Sequence, residues 1–333
     1  MRPTPHRFAL ALLLCGGCST SLPGDGGAAG QDAATATADS APPPAIDATA
    51  GPPDFGPPSG TIDPAGRGGT VNLLSFTAFG DVRPSVPDLD FLYPVDIITN
   101  VMKGMAKLNP EFAVGSGDYM FVEWIEASAQ NQIQMLQGAE ENLGKPIFHT
   151  LGNHECNSFT DVNCPMLNES VNIKTYMKDL MPWSPVPWYH FVVHTALGDA
   201  KFLFIAVNAW NDDQATWLKD AVAIPTRYTF VVRHHPTPDA GKPSMAEGIQ
   251  ASNDILDGHP VTLFLYGHVH EYLHLTPNAV IAGNAGAPLD MGHYGFLWVL
   301  QRPDGTIAVT EFDAMSGNPM DSWAVTDDGK ATP

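Results

Sequence analysis

The chain has 333 residues, with 36 acidic against 16 basic side chains and a formal net charge of −20. A surface this acidic argues against duplex DNA and other polyanionic partners, because proteins bind phosphate backbones through clustered Lys and Arg. Any phosphate that binds here must be attracted by another positive charge, and bound divalent cations would supply one.

The amino terminus has the layout of an export signal. Basic Arg2 and Arg7 precede an unbroken apolar run at residues 8–15, which is too short for a permanent membrane span. The small residues before Cys18 resemble the lipobox of bacterial lipoproteins, although Cys15 stands where Leu is usual. We therefore expect a signal peptide at residues 1–18 and lipidation of Cys18. The alternative is ordinary export with cleavage nearby.

Residues 19–68 are predicted to form a disordered tether. They are mostly Ala, Gly, Pro, Asp, Ser and Thr, so they bury too little apolar surface to offset the entropy of ordering. We expect one folded domain at residues 69–326 and a short tail at 327–333. A tether behind a lipid anchor would hold this domain away from a membrane, so we expect an exported, membrane-anchored lipoprotein facing the periplasm or cell surface, or otherwise a secreted protein. The sequence contains no signal that indicates an oligomeric state.

The first half of the predicted domain alternates strands and helices. Apolar runs predict strands at residues 71–79, 112–114 and 145–151, and helical spacing predicts helices at 95–108 and 121–140. This alternation is typical of an α/β fold in which part of the sheet is parallel.

The second half contains more strand. Strands are predicted at residues 190–195, 201–208, 229–233 and 261–266, with helices at about 214–222 and 245–256. The segments 280–282, 294–301 and 306–312 are predicted to form a meander, with a turn at Pro303-Asp304-Gly305. Two mixed sheets packed face to face, each covered by helices, would bury this many strands.

Two cysteines fall inside the predicted domain. Cys156 and Cys164 lie in a loop rich in Asn, Ser, Thr and Asp. In an exported protein this spacing predicts a disulfide, which contributes about 2–3 kcal/mol by loop closure and would fix the loop that begins at His154. A cysteine metal site is less favoured because no second Cys/His group accompanies the pair.

Residues of metal-binding type stand at or near the ends of five predicted strands. The groups are Gly80-Asp81-Val82-Arg83, Gly117-Asp118, Gly152-Asn153-His154-Glu155, His234-His235-Pro236 and Gly267-His268-Val269-His270. Open α/β sheets build their sites at such positions. A lone Gly-Asp is typical of a turn, but five groups in this order predict a two-metal hydrolase centre.

The side chains of these groups suit two cations. Asp81 and Asp118 offer carboxylates, which can bridge cations about 3.5–4 Å apart, and Asn153 offers a carbonyl oxygen. The imidazoles come from His234, His268 and His270. This mixture suits zinc, manganese or iron. His268 and His270, two residues apart in extended chain, point to the same face, although alone such a pair suggests two histidines on a polar sheet face.

The series of groups resembles the signature of the calcineurin-like metallophosphoesterase superfamily, which includes purple acid phosphatases and nucleotidases. The match covers about residues 72–300, and the GNHE and GHxH pair at residues 152–155 and 267–270 carries most of its specificity. The resemblance implies an α/β fold, a four-layer α/β/β/α sandwich with a dinuclear metal centre at the strand ends. It implies hydrolysis of phosphate esters by a metal-bound hydroxide.

The resemblance also implies residue roles. Asp118 would bridge two divalent or trivalent ions, Asp81 and His270 would bind one of them, and the other would be bound by Asn153, His234 and His268. His234 is preferred over His235 because the family's ligand stands two residues before a proline, here Pro236. His154 would face the substrate as a general acid, an imidazolium near its ordinary pKa of about 6.5, or as a positive partner for the phosphate. Tyr119 and His235 are predicted to line the mouth of the site.

Two positions depart from the family pattern. Where many members have a histidine two residues after the first aspartate, this chain has Arg83, which cannot ligate a cation. We therefore predict weaker or differently selective binding on the Asp81 side, with Arg83 holding a substrate phosphate or pairing with Asp81. Phe121 stands where purple acid phosphatases have the iron-binding tyrosine, so their charge-transfer colour should be absent.

The sequence thus favours an exported, metal-dependent phosphoesterase that acts on small phosphomonoesters or phosphodiesters. The alternative is a surface lipoprotein that keeps a metal but has lost turnover and acts as a binding module, and Arg83 is the residue that favours it.

Overall fold

The computed structural model describes residues 60–156, 164, 170–237 and 246–332. The predicted signal peptide, Cys18 and the tether as far as residue 59 lie outside these residues. Within the described part of the chain, no helix combines the length and the apolar character that crossing a bilayer requires.

The described residues form fourteen strands and five α-helices. The strands are β1 (Ile62–Asp63), β2 (Gly68–Thr70), β3 (Ser75–Phe79), β4 (Phe112–Gly115), β5 (Ile147–His149), β6 (Tyr189–His194), β7 (Ala200–Ile205), β8 (Tyr228–Arg233), β9 (Leu263–Tyr266), β10 (Tyr272–Thr276), β11 (Ala279–Ala282), β12 (Gly295–Gln301), β13 (Ile307–Asp313) and β14 (Pro319–Val325). The helices are α1 (Val95–Lys107), α2 (Glu126–Glu140), α3 (Val171–Asp179), α4 (Asp212–Ala223) and α5 (Gly248–Leu256).

The strands form two mixed sheets. One contains eight strands in the order β1-β2-β6-β7-β8-β9-β11-β10, and the other contains six in the order β14-β13-β12-β3-β4-β5. Strands β7, β8 and β9 are parallel in the first sheet, and β3, β4 and β5 are parallel in the second. In each sheet, the carboxyl ends of three neighbouring strands therefore meet at one edge.

The two sheets pack face to face through an aromatic layer. Phe76 and Phe112 of the six-stranded sheet and Phe202 and Phe230 of the eight-stranded sheet are fully buried. Phe76 contacts Phe202 and Phe230 edge to face at ring-centroid distances of 5.1 and 5.2 Å. Each buried phenyl ring contributes about 2–3 kcal/mol through removal of apolar area from water.

Helices cover the outer faces of both sheets. Leu218 of α4 and Ile249 of α5 pack with Leu203 of β7 in one apolar cluster. On the other side, Gly104 of α1 lies so close to the ring of Phe296 in β12 that a Cβ atom would come within 2.7 Å of it. The predicted four-layer α/β/β/α sandwich is therefore confirmed.

The amino-terminal boundary of the domain differs from the prediction. Part of the predicted tether forms β1 and β2, and β2 joins the sheet parallel to β6, with Gly69 opposite Val193. Few apolar side chains are needed there, because pairing along an existing sheet edge satisfies the backbone N–H and C=O groups.

The carboxyl-terminal boundary differs in the same way. Thr332 N donates to Ala324 O at 3.1 Å, and Val325 forms a bridge with Ala331, so the predicted tail is paired with the sheet edge. The meander consists of β12, β13 and β14, whereas β11 lies in the other sheet beside β9. Hydrophobic alternation predicts a strand but does not indicate which sheet will accept it.

The second helix begins later than predicted. Residues 121–125 form a loop in which the backbone N–H groups of Glu123, Trp124 and Ile125 donate to the Asp88 carboxylate at 3.1, 2.8 and 3.2 Å. This side chain comes from a distant part of the sequence and competes with the helix for the same donors. The helix therefore starts at Glu126.

Candidate metal centre

The parallel strands deliver the predicted ligands to one place. In the six-stranded sheet, Asp81 follows β3, Asp118 follows β4 and Asn153 follows β5. In the eight-stranded sheet, His234 directly follows β8 and His268 follows β9. Because the carboxyl edges of both sheets lie at the same end of the sandwich, side chains from both sheets meet there.

The first group of ligands, here called the aspartate cluster, consists of Asp81, Asp118 and His270. Their ligand atoms lie within 4.8 Å of one another. His270 Nδ1 donates to Pro288 O at 2.9 Å, which leaves the lone pair of Nε2 facing Asp81 Oδ1 at 3.6 Å. Asp81 Oδ1 is buried and has no hydrogen-bond partner among the described residues. A buried carboxylate oxygen in this state fits a cation site.

The second group, here called the histidine cluster, consists of Asn153, His234 and His268. Asn153 Oδ1 lies 3.0 Å from His234 Nε2 and 3.2 Å from His268 Nδ1. His234 Nδ1 donates to Ser116 O at 2.8 Å, so Nε2 is the atom available to a metal. Asp118 Oδ1 lies 3.3 Å from this Nε2. Asp118 therefore belongs to both clusters, as a bridging ligand requires.

The backbone of the site is strained. Asp81, Asp118 and His268 have φ values of 56°, 60° and 72°, in the left-handed region that side chains other than glycine rarely adopt. Each such conformation costs about 1–3 kcal/mol and persists only where surrounding contacts enforce it. Gly152 is required beside them, because a Cβ atom there would come within 2.4 Å of Asp118 Oδ1.

The buried carboxylate of Glu155 supplies the enforcing contacts. Its Oε2 accepts from the N–H groups of Asp118 and Gly152 at 2.9 and 2.8 Å, and its Oε1 accepts from those of Tyr119 and Met120 at 2.7 and 3.3 Å. These bonds join the loop after β4 to the loop after β5. Burial and the neighbouring Asp118 raise the pKa of Glu155 to about 7, although the backbone donors oppose the shift.

The pKa values of the two aspartates shift in opposite directions. Burial raises the pKa of Asp81 well above its usual range, and the nearby Asp118 carboxylate adds to the shift. Burial acts in the same direction on Asp118, but His234, His154 and Arg83 outweigh it and hold the pKa of Asp118 well below its usual range. Burial alone would lower the pKa of His234, yet Asp118 raises it to about 9. A metal that binds Nε2 of His234 must displace the proton that the protonated imidazole carries there.

Arg83 lies inside the aspartate cluster. Its Nε is 3.6 Å from Asp118 Oδ2, its Nη2 donates to His270 Nε2 at 3.3 Å, and its guanidinium lies 4.7 Å from the ring centre of Phe121. The predicted pairing of Arg83 with Asp81 is wrong, because the arginine pairs with Asp118 instead. The guanidinium supplies positive charge where the donor atoms of two ligands meet.

His154 approaches the same oxygen of Asp118 as Arg83 does. Its Nε2 is 3.7 Å from Asp118 Oδ2, and its ring contacts Phe121 at a centroid distance of 4.4 Å. Burial lowers the pKa of His154 to about 3, and Arg83 contributes in the same direction although Asp118 opposes it. This shift runs against the expected imidazolium near its ordinary pKa, because burial favours the neutral ring.

A model of the calcineurin-like phosphoesterase family matches residues 79–272, more than half of the chain. The chain belongs to the calcineurin-like phosphoesterase family. Membership of this family implies a dinuclear metal centre. No individually curated protein matches the phosphoesterase by sequence.

Solved structures share the fold of the phosphoesterase. A purple acid phosphatase from yellow lupin, Lupinus luteus, aligns with a TM-score of 0.56 and 14% identity, over 79% of this chain and 57% of that chain. A dimetal phosphatase from Danio rerio aligns with a TM-score of 0.53 and 13% identity, over 77% of this chain and 99% of that chain. PhoD aligns with a TM-score of 0.50 and 12% identity, over 79% of this chain and 73% of PhoD. The aligned region therefore spans less than two thirds of the lupin enzyme.

The phosphoesterase brings together all the residues predicted as ligands, in two clusters that share Asp118. Their binding of metal stays a prediction. Cys156 and Cys164 form a disulfide, with their Cα atoms 4.7 Å apart.

Two predicted substrate contacts do not face solvent. Tyr119 is fully buried, and its hydroxyl accepts from the N–H groups of Gly117 and Thr150 at 3.1 and 3.3 Å, so its predicted role at the mouth is wrong. His235 is also fully buried, with its ring centre 4.1 Å from that of His268. Neither ring nitrogen of His235 has a hydrogen-bond partner among the described residues, so this histidine is a candidate additional ligand.

Sequence reasoning missed the residues that position the ligands. Glu155 stands in the GNHE motif, but a carboxylate in a motif suggests a ligand as readily as an acceptor for backbone N–H groups. The carbonyl oxygens of Ser116 and Pro288, which orient His234 and His270, come from residues whose side chains give no signal. Only the fold brings these oxygens to the imidazoles.

Glu155→Gln should damage the site without removing any predicted ligand. The amide NH₂ group would face backbone N–H donors, so we expect the free energy of unfolding to fall by about 2–4 kcal/mol and Mn²⁺ affinity to fall at least about tenfold. Chemical denaturation and calorimetric titration measure the two effects. Glu140→Gln is the matched control, because Glu140 pairs with His149 at 2.8 Å and makes no contact with Asp118. Unchanged Mn²⁺ affinity in the Glu155 variant would contradict the positioning role.

Proposed function

We propose that this phosphoesterase hydrolyses small phosphomonoesters or phosphodiesters at a dinuclear centre of zinc, manganese or iron. The observation that carries the proposal is the sharing of Asp118 between the aspartate and histidine clusters. Asp118 Oδ1 faces His234, and the ligand atoms of Asp118, Asp81 and His270 lie within 4.8 Å. This arrangement, buried and acidic, favours two cations over one.

The proposed ligand sets follow the two clusters. Asp81 and His270 would hold one cation, and the histidine cluster would hold the other, with Asp118 between them. When bound, such cations acidify a water and neutralise the charge that develops on phosphoryl oxygens. The carbonyl oxygens of Ser116 and Pro288 accept from Nδ1 of His234 and His270, which keeps both imidazoles in the tautomer that metal binding needs.

His154 and Arg83 are the groups that would act on the substrate directly. Neutral His154 has one ring N–H to donate to a phosphoryl or leaving-group oxygen. An arriving phosphate anion raises the pKa of His154, which favours the protonated form that can transfer a proton to the leaving alkoxide. Arg83 presents a planar set of donors that matches phosphate oxygens.

We also propose export and a lipid anchor on Cys18. The apolar run at residues 8–15, the small residues before Cys18 and the low-complexity segment that follows support this proposal. The Cys156–Cys164 disulfide adds support, because disulfides persist mainly in oxidising compartments.

Hydrolysis of p-nitrophenyl phosphate by the Mn²⁺- or Zn²⁺-loaded protein tests the function. We expect Asp118→Asn to lower kcat/KM at least about 100-fold because the shared ligand loses its charge, and His154→Ala to lower it by about 10²–10⁴. Asp199→Asn is the control, since this aspartate pairs with His194 on the exposed surface. Activity that survives both site changes would overturn the assigned roles. Metal binding without hydrolysis of any phosphate ester would favour a binding module.

Fractionation of bacterial cells that express the full chain tests the anchor. The parent protein should be recovered with membranes, and Cys18→Ser should be recovered in the soluble fraction, because the substitution removes the thiol that carries the lipid. Ser19→Ala provides a neighbouring control. Equal membrane recovery of parent and Cys18→Ser would rule out lipidation at this position.

A further inference from the structure

The aspartate cluster and the histidine cluster differ in one respect that matters for cation binding. A guanidinium lies within the first: Arg83 donates to His270 Nε2 at 3.3 Å and approaches Asp118 Oδ2 to 3.6 Å. Asp118 Oδ1 instead faces His234 of the second cluster. The two oxygens of the shared carboxylate thus have different neighbours: Oδ1 faces His234, whereas Oδ2 faces Arg83 and, at 3.7 Å, His154 Nε2.

Arg83 and a cation would compete for the same atoms. His270 Nδ1 donates to Pro288 O, so Nε2 has a single lone pair, which either accepts from Arg83 or ligates a metal. The guanidinium carries a positive charge. It therefore also repels a divalent ion placed a few ångströms away, and burial strengthens this repulsion.

Arg83 is nevertheless held weakly. Its Nη1 donates to Pro84 O at 3.2 Å, its guanidinium lies over Phe121, and its Nε has no hydrogen-bond partner among the described residues. Asp118 approaches from one side at a distance beyond that of a hydrogen bond. The side chain keeps 15% of its surface exposed, so it can be reached from solvent. A phosphate group offers paired oxygen acceptors that satisfy such a guanidinium better than these contacts do.

We infer that Arg83 makes the second metal site conditional on phosphate. The histidine cluster binds the first cation, while Arg83 excludes a cation from the aspartate cluster by occupying His270 Nε2 and Asp118 Oδ2. A phosphate ligand that takes up the guanidinium frees both atoms, and the second cation then binds. This inference rests on the proposed function of the site. By linkage, a cation in the aspartate cluster tightens phosphate binding by the same factor.

Titration of the purified metal-free chain with Mn²⁺ tests the inference, with calorimetry for stoichiometry and electron paramagnetic resonance for coupling between two ions. Phenylphosphonate, a non-hydrolysable analogue, is the phosphate probe. Without it, we expect one ion per chain and a second that binds at least about tenfold more weakly. With it, the second site should tighten by at least about tenfold and a spin-coupled signal should develop.

Arg83→Gln and Arg83→Ala should each bind two ions without the probe, and the probe should no longer change Mn²⁺ affinity. Two different variants protect the test against misfolding of one of them. Arg227→Ala is the matched control, because Arg227 pairs with Asp327 at the surface at 3.0 Å and should leave the parent behaviour intact.

Two outcomes overturn the inference: equal binding of two ions by the parent without the probe, or weak binding of the second ion in both Arg83 variants. Either outcome leaves the proposed function standing if the loaded protein hydrolyses phosphate esters. Failure of the proposed function has a different signature, namely no Mn²⁺ bound by any form of the protein, or bound Mn²⁺ without hydrolysis.

Discussion

Four backbone N–H groups converge on the buried Glu155 carboxylate, and the geometry of the metal centre depends on this convergence. The loop after β4 carries Asp118 in left-handed backbone, which it would not keep alone, and the loop after β5 carries Asn153. The two oxygens of a carboxyl group can satisfy several donors at once, so one side chain fixes both loops. Asp118 occupies the position between the clusters, because these contacts fix its backbone.

The electrostatics of the site follow from where its charges are buried. Two carboxylates and several imidazoles lie at the meeting edge of two sheets, away from water. Without nearby positive charge, the burial of these carboxylates would cost much desolvation free energy. Arg83 and protons on histidine supply part of this charge, and divalent cations would supply more. The competition between a fixed guanidinium and mobile ions therefore follows from burial as much as from ligand chemistry.

Much of the site could be predicted from sequence because its ligands stand at strand ends. Asp81 and His234 follow buried apolar runs, and the topology brings the ends of parallel strands to one edge whatever the exact strand boundaries are. Four of the five helices and most strands were predictable for the same reason, since their periodicity is local, whereas α3 was not predicted. Tyr119 was misjudged because burial depends on packing against distant residues, and β2 was missed because its stability comes from pairing with β6.

The most direct test of the account is anomalous X-ray diffraction from crystals of the protein grown with Mn²⁺ or Zn²⁺. Anomalous peaks should lie within about 2.0–2.3 Å of Asp118 and of imidazole nitrogens of the histidine cluster, with none of comparable height elsewhere on the chain. Peaks only at surface carboxylates, with the side chains of Asp118 and His234 still in contact with each other, would contradict a metal centre at this position.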